Sequence, residues 1–236
     1  MSAVAFVKTE NRIAGLNMAL DLLDLSPVRG KDVFLKPNYN SADPPPGSTH
    51  NDTLRALVQR LKAQGATQIT VGDRSGMGDT RAVMEKLGAC SLAEELGCKT
   101  VVFDELEASD WVHFEIPKGH WSRGFYAARP ILDAASLVQT CCLKTHRFGG
   151  HVTLSLKNTV GMVAKQVPGD DYNYMKELHG SPDQRRMIAE INTVFQPDLI
   201  VLDGVQAFVD GGPDKGKQVD ARVMLAGADP VAIDAV

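Results

Sequence analysis

The sequence predicts an α/β fold: a mostly parallel sheet covered by helices on both faces. Three observations predict it. Short β-branched runs alternate with stretches whose apolar residues recur at helical spacing. The 236 residues, 44% of them hydrophobic, suffice for one substantial core. Four of the strand-like runs end directly in polar clusters, the pattern of an open sheet whose strand ends line a ligand crevice.

In chain order, strands are expected at 3–7, 32–35, 68–71, 100–103, 136–141 and 198–202, and helices at 12–23, 53–64 and 187–195. Gly65 follows the second helix as a C-terminal capping glycine should. The stretch 104–129 is less regular. WVHFEIP reads as a strand and KGHWSRGFY mixes glycine, cations and aromatics, so a small β insertion or flap is expected there. Trp111, Trp121 and Phe125 are read as packing residues rather than as a cover over a ligand. The Pro-rich SADPPPGSTHN is too short to separate domains and is expected to be an ordered loop, so residues 1–236 are read as one domain. In the closing LAGADPVAIDAV, Asp229 and Pro230 mark a helix start, and the natural chain is expected to continue beyond Val236.

A formal charge of -4 gives no general attraction to nucleic acid or to an anionic membrane, so any anion site must come from locally clustered cations. MSAVAFVKTE lacks the basic and apolar regions of a secretory signal, and no run of about 18 apolar residues occurs, so a cytoplasmic protein is expected. Cys90, Cys98, Cys141 and Cys142 form no C-x-x-C pair and are read as reduced core thiols.

The polar clusters are LKPNYN at 35–40, VGDRSGMGD at 71–79, CLKTHRFGGH at 142–151 and LDGVQAFVDGG at 202–212. Lys36 leaves a strand end held extended by Pro37, which aims its ammonium, although a solvated lysine fits the same position. Ser48, Thr49, His50 and Asn51 precede a helix, where a hydroxyl or amide is expected to act as cap; His50 is also a candidate acid/base or ligand. The glycines of VGDRSGMGD permit close backbone approach to an anion, but the loop matches no nucleotide motif. Asp73 suits a cation or a turn, and Arg74 a carboxylate, a phosphate or a surface ion pair.

CLKTHRFGGHVTLSLKN is the densest segment. Lys144, His146, Arg147, His151, Lys157 and Asn158 lie around a Gly-Gly bend, a composition suited to anion binding and, where a lysine is desolvated, to proton transfer. With a helix from His151, Ser155 lies one turn on. His146 and His151 with Asp73 or Asp203 form an alternative divalent-metal set, though H-x-x-x-x-H is a weak ligand spacing. Asp203, Asp210 and the following glycines are read as a turn-rich approach to the same edge.

KPN, VGD, LKTH followed by SLKN, LDG, DGGP and the closing DPVAIDAV, in this order, resemble the domain of unknown function 362 family from about Val33 to the last residue. The resemblance implies an α/β fold, a cytoplasmic prokaryotic setting, and relatives that carry an appended ferredoxin-like segment. No C-x-x-C-x-x-C run is present, so no intrinsic iron–sulfur cluster is expected. It transfers site positions, namely Lys36, Asn38, Asp73, Lys144, His146, Lys157, Asn158 and Asp203, but no reaction.

The leading expectation is an enzyme or binding protein for a small anionic metabolite, carboxylate or phosphate. Lys36, Lys144 and Lys157 would hold the anion while His146 or His50 moves a proton, with Asn38, Asp73, Arg74, Ser155, Asn158 and Asp203 as further ligand contacts. The alternative is a metal-handling accessory protein with a redox protein partner. Neither nucleic acid nor a membrane is expected as partner, and the oligomeric state is open.

Overall fold

The computed structural model describes residues 3–147 and 151–236. In chain order the elements are β1 (Val4–Lys8), α1 (Arg12–Asp21), β2 (Asp32–Lys36), α2 (Asn51–Ala63), β3 (Gln68–Asp73), α3 (Thr80–Lys86), α4 (Ala89–Glu95), β4 (Lys99–Val102), β5 (Trp111–Phe114) and β6 (Phe125–Ala128). There follow α5 (Arg129–Leu132), β7 (Ser136–His146), β8 (His151–Val152), α6 (Ser155–Asn158), α7 (Tyr174–Gly180), α8 (Gln184–Asn192), β9 (Leu199–Gly211), β10 (Gly216–Val219), β11 (Val223–Gly227) and α9 (Pro230–Ala235). All the strands and helices expected from periodicity are present, most with ends shifted by a few residues, while β7 and β9 run well past their expected ends.

The main sheet runs β1-β11-β9-β7-β2-β3-β4. Its centre, from β9 to β4, is parallel, while β11 and β1 add an antiparallel edge. The order reverses at β2: the chain passes through α2 to β3 on one side, whereas β7 and then β9 lie on the other. Such a switch point opens a crevice at the carboxyl ends of the two central strands, because the connections leave in opposite directions.

The central strands are apolar on both sides, as a sheet sandwiched by helices requires. Period two sorts their side chains. Val33 and Leu35 pack with α1, α2 and α4 through Leu16, Leu20, Leu57, Leu61 and Leu92. Phe34 faces the opposite layer, built from Phe103, Phe125, Met162, Tyr174, Leu178, Met187 and Ile191. β5 and β6 form a separate antiparallel pair in which Trp111, Phe125 and Ala127 are buried in that second layer, and Trp121 joins them. The stretch is therefore a packed hairpin, as its aromatics suggested.

Two polar clusters read as loops are strands instead. β7 continues through the LKTH residues to His146, and β9 through Asp203 to Gly211. Local polarity is overridden because β8 and β10 fold back and satisfy these backbones, with Thr145 opposite Val152 and Ala207 opposite Val219. The segment from His151 is a strand too, and the helix starts only at Ser155. Phe148, Gly149 and Gly150, the expected Gly-Gly bend among them, lie outside the described residues. The Pro-rich loop is ordered through Ser48 Oγ to the Ser41 carbonyl at 2.9 Å, Gly47 N to the Pro44 carbonyl at 2.9 Å and Thr49 N to the Asn38 carbonyl at 2.9 Å.

The cap of α2 differs from expectation. His50 fills the position, and its Nδ1 accepts from Asp52 N at 3.0 Å, so an imidazole replaces the expected hydroxyl or amide.

The last helix has a role beyond packing. Asp229 caps it by accepting from Val231 N and Ala232 N, as the D-P start predicts. Its Asp234 then reaches across to α6, accepting from Ser155 N at 2.8 Å and Leu156 N at 3.0 Å, and from Ser155 Oγ. Leu154, at the capping position of α6, has no side-chain acceptor to offer, so a carboxylate from another helix satisfies these amides. Replacing Asp234 with Ala should leave them unsatisfied in a half-buried site and lower stability by about 1–3 kcal/mol. Urea unfolding measures it; an unchanged midpoint would show that α6 does not depend on this carboxylate.

Candidate functional site

Lys36 is the last residue of β2 and shares the parity of Phe34, so its side chain enters the layer opposite α1 and α2. There it meets Asp73, the last residue of β3: Nζ lies 2.7 Å from Oδ1, and both side chains are 2% exposed. The ammonium also donates to the Pro37 carbonyl at 2.6 Å and to Asn158 Oδ1 at 3.0 Å, which uses all three donors. Asp73 accepts in addition from Tyr39 N and Arg74 N, both at 2.7 Å. Gly161 packs directly on the pair, since a Cβ there would lie 2.8 Å from Asp73 Oδ1 and 2.9 Å from Lys36 Nζ. Burial lowers the Lys36 pKa, and the Asp73 charge opposes that shift.

A chain of amides extends from this pair. Asn158 Oδ1 also receives Asn38 Nδ2 at 3.2 Å, while its own amide donates to Gln139 Oε1 at 3.2 Å and the Thr140 carbonyl at 3.3 Å. Asn38 Oδ1 accepts from Lys144 Nζ at 2.7 Å, and Lys144 donates again to the Gly47 carbonyl at 2.6 Å. The network Asp73–Lys36–Asn158–Asn38–Lys144 thus ties together β3, β2, α6, the Pro-rich loop and β7.

This network floors a cleft of about 1280 Å³ at the switch point. Of the expected site residues, Lys36, Asn38, Asp73, Arg74, Lys144, His146, Lys157 and Asn158 line it. Eight lysines and arginines line the cleft against two aspartates, Asp73 and Asp183. Asp73 is spent on Lys36, and Asp183 pairs with Arg186 at 3.0 Å.

Lys144 is 2% exposed and forms no ion pair among the described residues. Its pKa is lowered by burial, with Lys36 adding to the effect. Arg74 is 3% exposed and its fork is held by neutral acceptors: the carbonyls of Val163 at 2.8 Å, Val160 at 2.7 Å and Ser75 at 3.3 Å, and Met175 Sδ at 3.2 Å. Arg74 therefore pins the 159–163 turn and α7 onto the cleft rather than grasping a ligand outright. Lys157, on α6, is half-buried, and its pKa is pushed down to about 8, first by burial and then by the charges of Arg74 and Lys144.

Three expected site residues lie elsewhere. Asp203 has the parity of Val201 and Val205 on β9, which face α1 and α2, so the sheet separates it from the cleft. It receives Thr53 Oγ1 at 2.6 Å and Arg12 Nε at 3.0 Å. His50 caps α2 on that side; its pKa is lowered by burial and by Arg12. Ser155 is engaged by Asp234. The suggested metal set does not assemble: the Asp73 and Asp203 carboxylates are taken by Lys36 and Arg12, and among the described residues no three His, Cys, Asp or Glu are grouped to hold a metal ion.

Residues 165–186 contribute an outer wall that strand-end reasoning missed, because this stretch follows no strand. Lys165, Asn173, Lys176, His179, Arg185 and Arg186 all line the cleft. His179 Nδ1 lies 2.6 Å from the Met175 carbonyl, which can only accept, so Nδ1 carries the proton and Nε2 the lone pair. The signal available in the sequence was the density of cations in KELHGSPDQRR.

Among the described residues no helix is long and apolar enough to cross a membrane. The thylakoid-associated protein sll1697 of Synechocystis sp. is 26% identical over 215 residues, covering 88% of this chain and 62% of that protein. The lactate racemase apoprotein from Thermoanaerobacterium thermosaccharolyticum is structurally similar, with a TM-score of 0.62 at 14% identity over 96% of this chain and 54% of that one. At that identity the likeness shows the fold, an α/β fold with a large sheet. The chain spans less than two thirds of the length of either protein. The domain of unknown function (DUF362) model matches residues 33–236, most of the chain and the same span as the KPN-to-DPVAIDAV motifs, and the protein belongs to that family.

Proposed function

We propose that the cleft binds a small anionic metabolite, a carboxylate or a phosphate, and acts on it, in the cytoplasmic setting that the family resemblance implies. One observation carries the reading. Arg74, Lys144 and Lys157 converge on one cleft, each with a pKa lowered by burial, while the Asp73 carboxylate on its floor is already engaged by Lys36 and two backbone amides. Burying unpaired charge is costly unless a counter-charge is supplied. A ligand carboxylate or phosphate supplies it. Lys144 retains one N–H beyond its two bonds, and Lys157 Nζ makes no hydrogen bond or ion pair among the described residues. The lactate racemase likeness adds an analogy: that protein's name points to a small hydroxy acid, a ligand of the same charge class.

In this reading Lys144 and Lys157 hold the anion, Asn38 and Asn158 fix Lys144 and Lys36, and His146 on the cleft wall moves a proton. His50, on the other side of the sheet, drops out of that role.

Phosphate, citrate and lactate are suitable probes in a thermal-shift titration, since a ligand bound only to the folded state raises the melting temperature. At least one should raise it, and Lys144→Ala should weaken that binding about tenfold or more, about 1.4 kcal/mol. A shift of equal size in the variant would remove Lys144 from the site, and no shift with any anion would end the reading. The pH dependence follows from Lys157. Its ammonium is the anion-binding form, so affinity should be full well below pH 8 and fall as pH rises through about 8. Binding that stays constant from pH 6 to about 9.5 would show that Lys157 carries none of it.

A further inference from the structure

Among the lysines of the cleft, Lys157 has a distinct environment. Lys36 uses all three N–H groups on Asp73, the Pro37 carbonyl and Asn158, and Lys144 uses two on Asn38 and the Gly47 carbonyl. Freeing a lone pair on either would break a buried network. Lys165 and Lys176 stand at the exposed rim. Lys157 is half-buried on the cleft wall, sits on a helix anchored by Asp234 from below, and its Nζ has no hydrogen bond or ion pair among the described residues.

We infer that Lys157 is a nucleophile that forms a Schiff base with the carbonyl carbon of a 2-oxo acid bound in this cleft. The inference rests on the anion-binding reading of the same site and gives its ligand a chemical class. Two nearby cations and burial favour the neutral amine, the arrangement that activates amine nucleophiles in general. A 2-oxo acid suits the geometry because its carboxylate answers the cationic floor while the adjacent carbonyl is the electrophile.

The step balances within the site. The Lys157 ammonium gives up a proton to become the amine, and that proton goes to water in the open cleft or to His179 Nε2, the unprotonated ring nitrogen of a residue lining the same cleft. The nitrogen lone pair forms the C–N bond as the carbonyl π pair moves to oxygen, which takes a proton to give a carbinolamine. Loss of that oxygen as water, with the returned proton, leaves a protonated imine. Ammonium and ketone become iminium and water. The positive charge is conserved, so the carboxylate keeps its counter-charge.

The test is reductive trapping. The intact protein is incubated with pyruvate, glyoxylate or 2-oxoglutarate, with lactate as the control that lacks a carbonyl, then treated with sodium cyanoborohydride and examined by intact mass and peptide mapping. The expected result is one adduct, heavier by the mass of the oxo acid less one oxygen, mapped to Lys157 and absent with lactate. With the oxo acid saturating at every pH, its initial rate should rise with pH through about 8, opposite to the trend for simple anion binding. Lys157→Ala should abolish it. Lys157→Arg should abolish it while keeping the charge, and a retained thermal shift with phosphate shows that this variant is folded. Adducts scattered over surface lysines, or none in a protein that still binds phosphate or lactate, would overturn the nucleophile and leave the anion site standing. If no anion binds and no adduct forms, both readings fall.

Discussion

The buried pair of Lys36 and Asp73 is the interaction on which the site depends. It joins the ends of two adjacent parallel strands where the sheet order reverses, and both charges are almost wholly removed from water. Such a pair contributes little net stability, because desolvation consumes most of the attraction. Its value is geometric. With three donors and a shared carboxylate committed in fixed directions, Lys36 holds Asn158, Asn158 holds Asn38, and Asn38 holds Lys144. Removing one partner strands a buried charge, which typically costs about 3–5 kcal/mol. Gly161 belongs to the same constraint, since only a residue without a side chain lets the 159–163 turn lie against the pair.

This scaffold separates two kinds of cation. Lys36 is saturated and neutralised, and four of the five Arg74 N–H groups go to carbonyls and a thioether. Lys144 is held in place with capacity to spare, and Lys157 is held only through its helix. Under the proposed anion-binding function, fixing some charges while leaving others uncompensated preorganises the cleft, because the cost of gathering like charges is met by folding rather than by binding. The Asp234 contact joins the far end of the chain to this arrangement by setting the helix that carries Lys157 and Asn158.

The outer wall has a different character. Residues 165–186 pack through Tyr174, Met175, Leu178, Met187 and Ile191 onto the layer that also buries the β5–β6 hairpin. Arg74 bridges this wall to the floor by holding the carbonyls of Val160 and Val163 and the Met175 sulfur. The hairpin expected as an insertion thus supports the cleft from behind.

Much of this was legible in the residues themselves. Alternation and capping signals set the strands, the main helices and the parallel sheet, and KPN, VGD, LKTH and SLKN pointed to seven of the residues that now line the cleft. Short-range chemistry suffices there, since strand parity and strand ends are local properties. Three matters were settled only by tertiary structure. Asp203 lies on the opposite side of the sheet because β9 stays a strand past its apolar run, where β10 and β11 pair with it, and parity then turns it toward Arg12 and Thr53, while His50 is held on that side as the cap of α2. Ser155 is claimed by Asp234, a residue 79 positions away. His179 and the rim cations join the cleft through the packing of α7 and α8, which follows no strand-end rule. Periodicity acts between near neighbours, whereas the partner of a charge is chosen by which elements meet across the sheet, and that is fixed only when the whole chain has packed.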